Sequence, residues 1–223
     1  MVNKEGIILV NKPQGITSHD VVDIVRRKLA IKRVGHAGTL DPLAEGLLII
    51  LVGSSTKLFS KFVHFDKEYV GILKLGEVTS TGDSQGKVLR SSGFGGVTEE
   101  KIREVFASFV GEIDQIPPMV SALRVKGKRL YDLARKGITI ERDPRRIKIY
   151  AIEILKIDPP LVEFYVRCSK GTYIRKLAED IGDVLGCGAH MIHIKRLSVG
   201  HFKLSDAFNP ENIDESCLQK AAL

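Results

Sequence analysis

Cysteine is scarce: Cys168, Cys187 and Cys217 are the only three in 223 residues. They lie too far apart for a CxxC metal pair, and an odd number makes no disulfide framework. A scaffold stapled by disulfides is excluded, and a reducing compartment suits the chain best. Long apolar runs are missing at the start, where MVNKEGIILVNKP has only Ile7 to Val10 before Asn11. That is too short for a secretory h-region or a membrane span. No segment repeats at a fixed period, and no tract is of low complexity. GSSTK at 53–57 has the residue types of a phosphate loop without its GxxxxGK[ST] spacing. His190 and His193, in HMIH, would point to opposite faces of a strand and so would not share a metal. These absences leave a soluble, cytoplasmic protein without a metal site, and they name no activity.

What is present is more informative. With 43% hydrophobic residues, a chain of this length buries a full core without staples. Lys and Arg number 34 against 27 Asp and Glu, a formal charge of +7. Such a surplus attracts polyanions, of which nucleic acid is the commonest in the cytosol, although a solvated basic surface has the same composition. The basic clusters RRK (26–28), RVKGKR (124–129) and DPRRIK (143–148) are dispersed. Only the fold can gather them on one face.

Hydrophobic periodicity predicts a helix from an N-cap at Ser18 to Leu29, with Val21, Val22, Val25 and Leu29 on one side. Thr98 opens a second helix carrying Ile102, Val105, Phe106 and Phe109, ended by Gly111. A short helix is expected over 129–136 and an amphipathic one over 172–185. Strands are expected at 7–10, 47–52, 68–76, 147–155, 161–168 and 191–204, and 91–97 reads as a loop. Strands dominate, and helices occur singly without a regular βαβ rhythm, which defines an α+β class. No linker is long enough to force a domain boundary.

Taken one at a time, the polar residues have ordinary readings. Asp41 before Pro42 is turn or cap chemistry. Arg175 would be a solvated cation, His36 a loop histidine, and Tyr69 and Tyr173 half-buried aromatics.

Together, the blocks NKPQGITSHDVV, GHAGTLDPLAEGLL, DKEYVGILKLGEVTSTGD, IPPMVSALRVKGKRLYDLARKG, CSKGTYIRKLAEDIGDVLGCGAH and IKRLSVG resemble the TruB-type tRNA pseudouridine synthases, in order and over almost the whole chain. The resemblance implies the pseudouridine synthase fold, a mixed, largely antiparallel sheet flanked by helices and loops around a central RNA-binding cleft. It implies isomerisation of a T-loop uridine, position 55 of the tRNA, to pseudouridine. Asp41 becomes the essential aspartate, Tyr69 the stacking group and proton acceptor, and Arg175 the ion-pair partner of Asp41. Tyr173 and Leu197 would shape the uridine pocket, His36 would fill the space left by the extruded nucleotide, and Lys12 would support the site. The implied partner is tRNA, bound through its T arm by a monomer that needs no obligatory protein partner. Residues 1–205 would form the catalytic domain and 206–223 a tail with no room for the PUA-like domain common in this family.

The chemistry agrees with these roles. Breaking C1′–N1, turning the uracil and joining C5 to C1′ gains no atom or electron from outside, so no cofactor is implied. A carboxylate could attack C1′ as it develops oxocarbenium character, remove the C2′ proton to give a glycal, or add to uracil C6. All three routes stay open. Two other readings compete: an RNA-binding or tRNA-folding module without catalysis, and a guide-RNA-dependent pseudouridine synthase.

Overall fold

The computed structural model describes residues 5–121, 123–125 and 127–221. Lys126 of the basic stretch 124–129 and the two ends of the expected domain and tail, 1–4 and 222–223, lie outside them. In chain order the elements are β1 (Gly6–Lys12), α1 (Ser18–Leu29), β2 (Val34–Ala37), β3 (Ala44–Val52), α2 (Phe59–Val63), β4 (Lys67–Leu75), β5 (Glu77–Thr79), β6 (Val88–Ser91), α3 (Glu99–Ser108), β7 (Gly111–Gln115), β8 (Arg124–Val125), β9 (Lys128–Arg129), α4 (Leu130–Ala134), β10 (Arg145–Asp158), β11 (Leu161–Cys168), α5 (Ile174–Leu185), β12 (Ala189–Val199) and β13 (Phe202–Lys203). They cluster into two units. One holds the residues up to Tyr69 and those from Ile194 onward, and the other holds Val70–His193.

The first unit is built around β3. From Gly46 to Val52 each of its residues is buried, the mark of a strand covered on both faces. β1 pairs with it antiparallel from Gly6↔Val52 to Lys12↔Gly46, and β2 does so from Val34↔Val52 to Ala37↔Ile49. Ile194–Arg196 of β12 run parallel to Ala44–Gly46. Ile7, Leu9, Leu47, Ile49, Leu51, Phe62 and Val199 share one apolar cluster. The C-terminal stretch covers the free edge of β1: Phe208 exchanges backbone hydrogen bonds with Leu9 and Asn11, and Gln219 with Ile7. A paired edge does not recruit other chains.

Two sequence expectations change here. The N-cap of α1 is Thr17, not Ser18: Thr17 Oγ1 accepts from Asp20 N at 3.1 Å, and Asp20 Oδ2 accepts from Thr17 N at 2.7 Å, a reciprocal capping box. Ser18 is buried and its hydroxyl is used elsewhere. The expected strand 191–204 is a hairpin, because Gly200 takes the left-handed conformation (φ 58°) and turns β13 back onto Ser198 and Val199.

Gly46 shows how closely the strands approach. Its φ is +101°, and a Cβ there would lie 2.3 Å from the backbone oxygen of Arg196. Gly46→Ala therefore forces β12 away from β3, and thermal unfolding should show a loss of about 2–4 kcal/mol, combining backbone strain with overpacking. An unchanged Tm would contradict this close packing.

In the second unit the strand order is β4-β11-β10-β7, with β10 antiparallel to both of its neighbours. Phe106 of α3 meets Phe164 of β11 edge to face at 5.5 Å. β10 begins two residues earlier than expected because Arg145 and Arg146 pair with Gln115 and Asp114 of β7. The α5 helix starts after Tyr173 and stops at Gly186, whose φ of 81° suits a C-terminal cap. Among the described residues no helix is long and apolar enough to cross a membrane.

Candidate active site

Asp41 lies in the connection from β2 to β3, half-buried, with its backbone tied on both sides. Ser18 Oγ donates to Leu40 O at 2.9 Å and accepts from Leu40 N at 2.8 Å. Gly15 N donates to Pro42 O at 2.8 Å, and Ala44 N to Asp41 O at 3.0 Å. Asp-Pro turn chemistry is present as expected, but it is braced from α1 and from the segment preceding it. A carboxylate on such a turn has few conformations to lose on meeting a substrate.

Lys12 ends β1 and is buried. Its ammonium donates to Ala44 O at 2.7 Å and Pro13 O at 2.8 Å. Burial lowers its pKa to about 8, opposed by the negative charges of Asp41 and Glu45 and assisted by Arg196. At neutral pH it therefore remains largely protonated and sets a positive charge in the field of Asp41.

His36 is on β2 rather than in a loop, paired with Ile50 of β3. Burial lowers its pKa to about 4, with further lowering from Arg196 and His19, so the ring is neutral at physiological pH. Its Nδ1 is buried without a hydrogen-bond partner. Between about pH 6.5 and 4 the unfolded chain takes up a proton that folded His36 refuses, so this group makes stability fall as pH drops through that window. The loss is at most about 3 kcal/mol. Urea unfolding at pH 7 and 4.5 should show a shallower decline in His36→Gln than in the unsubstituted protein.

Tyr69 faces inward on β4 and is 8% exposed, in step with buried Lys67. Leu197 is half-buried on β12 between buried Arg196 and Ser198. These five residues belong to the first unit, and Tyr173 and Arg175 to the second.

Arg175 is not the solvated cation that its place on a helix would give it. It is 4% exposed, and its guanidinium donates to Thr81 O at 2.6 Å and Val120 O at 2.8 Å. Buried Asp83 lies 3.7 Å from it and accepts from Thr81 Oγ1 at 2.6 Å and Gln85 N at 3.1 Å. Tyr173 is held through its backbone by buried Gln115, which accepts from Tyr173 N at 2.8 Å and donates to its carbonyl at 3.2 Å. Asp83 and Gln115 carry no signal in periodicity or spacing, and Ser18 reads there only as a helix cap. Asp83 does stand in the TSTGD stretch of the blocks that resemble the family, where its proximity to Arg175 could have been sought. Among the described residues no group of three His, Cys, Asp or Glu could hold a metal.

Residues 26–174 match the TruB family pseudouridylate synthase (N terminal domain), and residues 175–222 match the tRNA pseudouridylate synthase B C-terminal domain. The class is that of RNA uridine isomerases, and the chain belongs to the TruB family of pseudouridylate synthases. It is 51% identical over 215 residues to tRNA pseudouridine synthase B of Clostridium tetani, covering 96% of this chain and 74% of that protein. It is 46% identical over 210 residues to the protein of the same name from Opitutus terrae, covering 94% and 87% respectively. Among solved structures it resembles a Cbf5-Nop10-Gar1 complex, with TM-score 0.72 and 33% identity over 92% of this chain. An H/ACA RNP bound to a substrate RNA containing 2′-deoxyuridine gives TM-score 0.70 and 31% identity over 94% of this chain. The chain spans about half the length of each of those two matched chains, 52% in both cases. The fold is the expected α+β class, with the mixed, largely antiparallel sheet that the resemblance implies.

Proposed function

We propose that the protein isomerises a uridine of tRNA to pseudouridine, that the target is the T-loop uridine, and that Asp41 is the carboxylate that acts. The observation that carries this reading is the placement of one aspartate on a braced turn in the field of buried Lys12, within a chain of this family. In each of the three routes Asp41 acts as an anion, and fixed positive charge stabilises it where water is excluded. In this reading Arg175, which the resemblance implies as the partner of Asp41, is the second such charge.

The target nucleotide leaves its stack at a cost of a few kcal/mol, and stacking on Tyr69 returns about 1–3 kcal/mol. His36 enters the vacated space as a neutral ring. Tyr173 and Leu197 border the uracil. After C5 joins C1′, the C5 proton leaves, and the Tyr69 phenol relays it, taking that proton as its own passes to solvent. Tyr69→Phe keeps the stacking and loses the relay. Single-turnover assays should show a rate lower by about 10²-fold with RNA affinity unchanged.

The protein works in the cytoplasm as a monomer on free tRNA, with no protein partner. The likeness to Cbf5-containing complexes supports a second, guide-dependent reading, but the greater identity to tRNA pseudouridine synthases favours free tRNA. The test is to incubate the protein with an unmodified tRNA transcript and map carbodiimide-stable adducts by primer extension. One new stop at the T-loop uridine is expected. Stops elsewhere only would overturn the T-loop assignment, and modification that appears only with a guide RNA would establish the second reading.

A further inference from the structure

Arg196 is 1% exposed, among the largest fully buried side chains of the protein. A buried guanidinium is costly unless its donors are satisfied. Here Nε donates to Leu47 O at 2.7 Å and Nη2 to Gly38 O at 3.2 Å. These two carbonyls stand on opposite sides of Asp41 in the chain, one where β2 gives way to the turn and one within β3. The planar fork of arginine can reach both at once, whereas an ammonium is a point donor.

The backbone fixes the fork in place. Arg196 sits opposite Gly46 in the parallel ladder, and Gly46 has no side chain where the Arg196 backbone passes. Gly38 has a φ of +95°, so the chain leaves β2 at a residue that has no Cβ to restrain it, and the Nη2 bond supplies that restraint. The side chain thus ties the start of the turn to the strand that follows it. Ser18 and Lys12 hold the middle and the far end of the same segment through Leu40 and Ala44.

We propose that Arg196 is a positioning residue for Asp41: by bridging the Gly38 and Leu47 carbonyls across the β2–β3 connection, it holds the carboxylate where the flipped nucleotide must meet it. This rests on the isomerase reading for its consequence in catalysis, but its consequence for the turn can be measured without any RNA. Its positive charge also reaches His36 and Lys12, and a substitution that keeps the charge separates that effect from the bridge.

The experiment compares Arg196→Lys and Arg196→Gln with the unsubstituted chain in two assays. In native-state hydrogen exchange, the amides of Leu40 and Ala44 should lose protection by about tenfold or more in both variants, while Ile8 and Val10 of β1 keep theirs. In single-turnover assays with tRNA, the rate should fall by about 10²-fold with RNA affinity within about threefold, because a small misplacement of a reacting group costs that much. Lysine should not restore the rate, since it retains the charge and loses the bridge. Unchanged exchange at Leu40 and Ala44, or an equal loss at Ile8 and Val10, would overturn the proposal. So would a rate equal to that of the unsubstituted protein. If Arg196→Gln does not fold, Arg196→Lys decides alone. If the unsubstituted protein modifies no RNA, the isomerase reading fails, and the exchange assay still decides whether Arg196 holds the turn.

Discussion

Asp41→Asn should leave tRNA binding within about twofold and lower single-turnover isomerisation by at least about 10⁴-fold, the scale seen when the central group of a covalent or acid–base site is removed. The amide has nearly the shape of the carboxylate, and the turn is held through backbone atoms and the Ser18 hydroxyl, not through the Asp41 side chain alone. The turn should therefore keep its geometry. What is lost is the negative charge, and each open route requires it: an amide is a poor nucleophile toward C1′, does not take the C2′ proton, and does not add to C6. Filter binding and rapid-quench assays on the same preparations separate the two effects. A variant that binds normally and still turns over within about tenfold of the unsubstituted rate would remove Asp41 from the chemistry.

Arg175→Met should be nearly as damaging, and it should also cost stability. The substitution removes the cation facing Asp83 and the donors to the Thr81 and Val120 carbonyls. Breaking a buried pair from one side leaves an uncompensated charge and typically costs about 3–5 kcal/mol. Asp83 retains its bonds from Thr81 Oγ1 and Gln85 N, which places the expected loss near the lower end, about 3 kcal/mol. If Arg175 is the proposed partner of Asp41, the rate should fall by about 10³-fold even where the variant is fully folded, because that positive charge is gone. Arg175→Lys keeps the charge but not the fork, and should recover part of the rate and little of the stability. Unfolding curves and single-turnover rates measured at one temperature distinguish these effects. A fully folded Arg175→Met with an undiminished rate would remove Arg175 from the site.

The helices were legible because their apolar residues recur at helical spacing over three turns: α1, α3 and α5 stand within two residues of their expected bounds. β2 and β7 were not. VGHA and GEIDQ are too short and too polar to show alternation, and their extended state is imposed by β3 and β10, to which they bond. Thr17 has the spacing of a capping box with Asp20, which Ser18 lacks. The tertiary part of the choice, the use of the Ser18 hydroxyl by Leu40, has no local signal. The candidate residues were legible through the family blocks and not through spacing. Nothing in the pattern shows that Lys12, Arg175 and Arg196 are buried, since charge normally marks a residue as exposed. Their burial depends on backbone carbonyls from distant segments, Ala44, Thr81, Val120, Gly38 and Leu47, which no local window contains.

The most direct test of the account uses a T-arm stem-loop tritiated at C5 of its uridines, incubated with the protein in buffer containing a chelator and no added cofactor. Joining C5 to C1′ must release that label to water. The account predicts release equal to the label of one uridine per RNA, with none in the presence of Asp41→Asn. RNA that binds with normal affinity yet releases no label, from the stem-loop or from whole tRNA, would contradict it and leave an RNA-binding protein in its place.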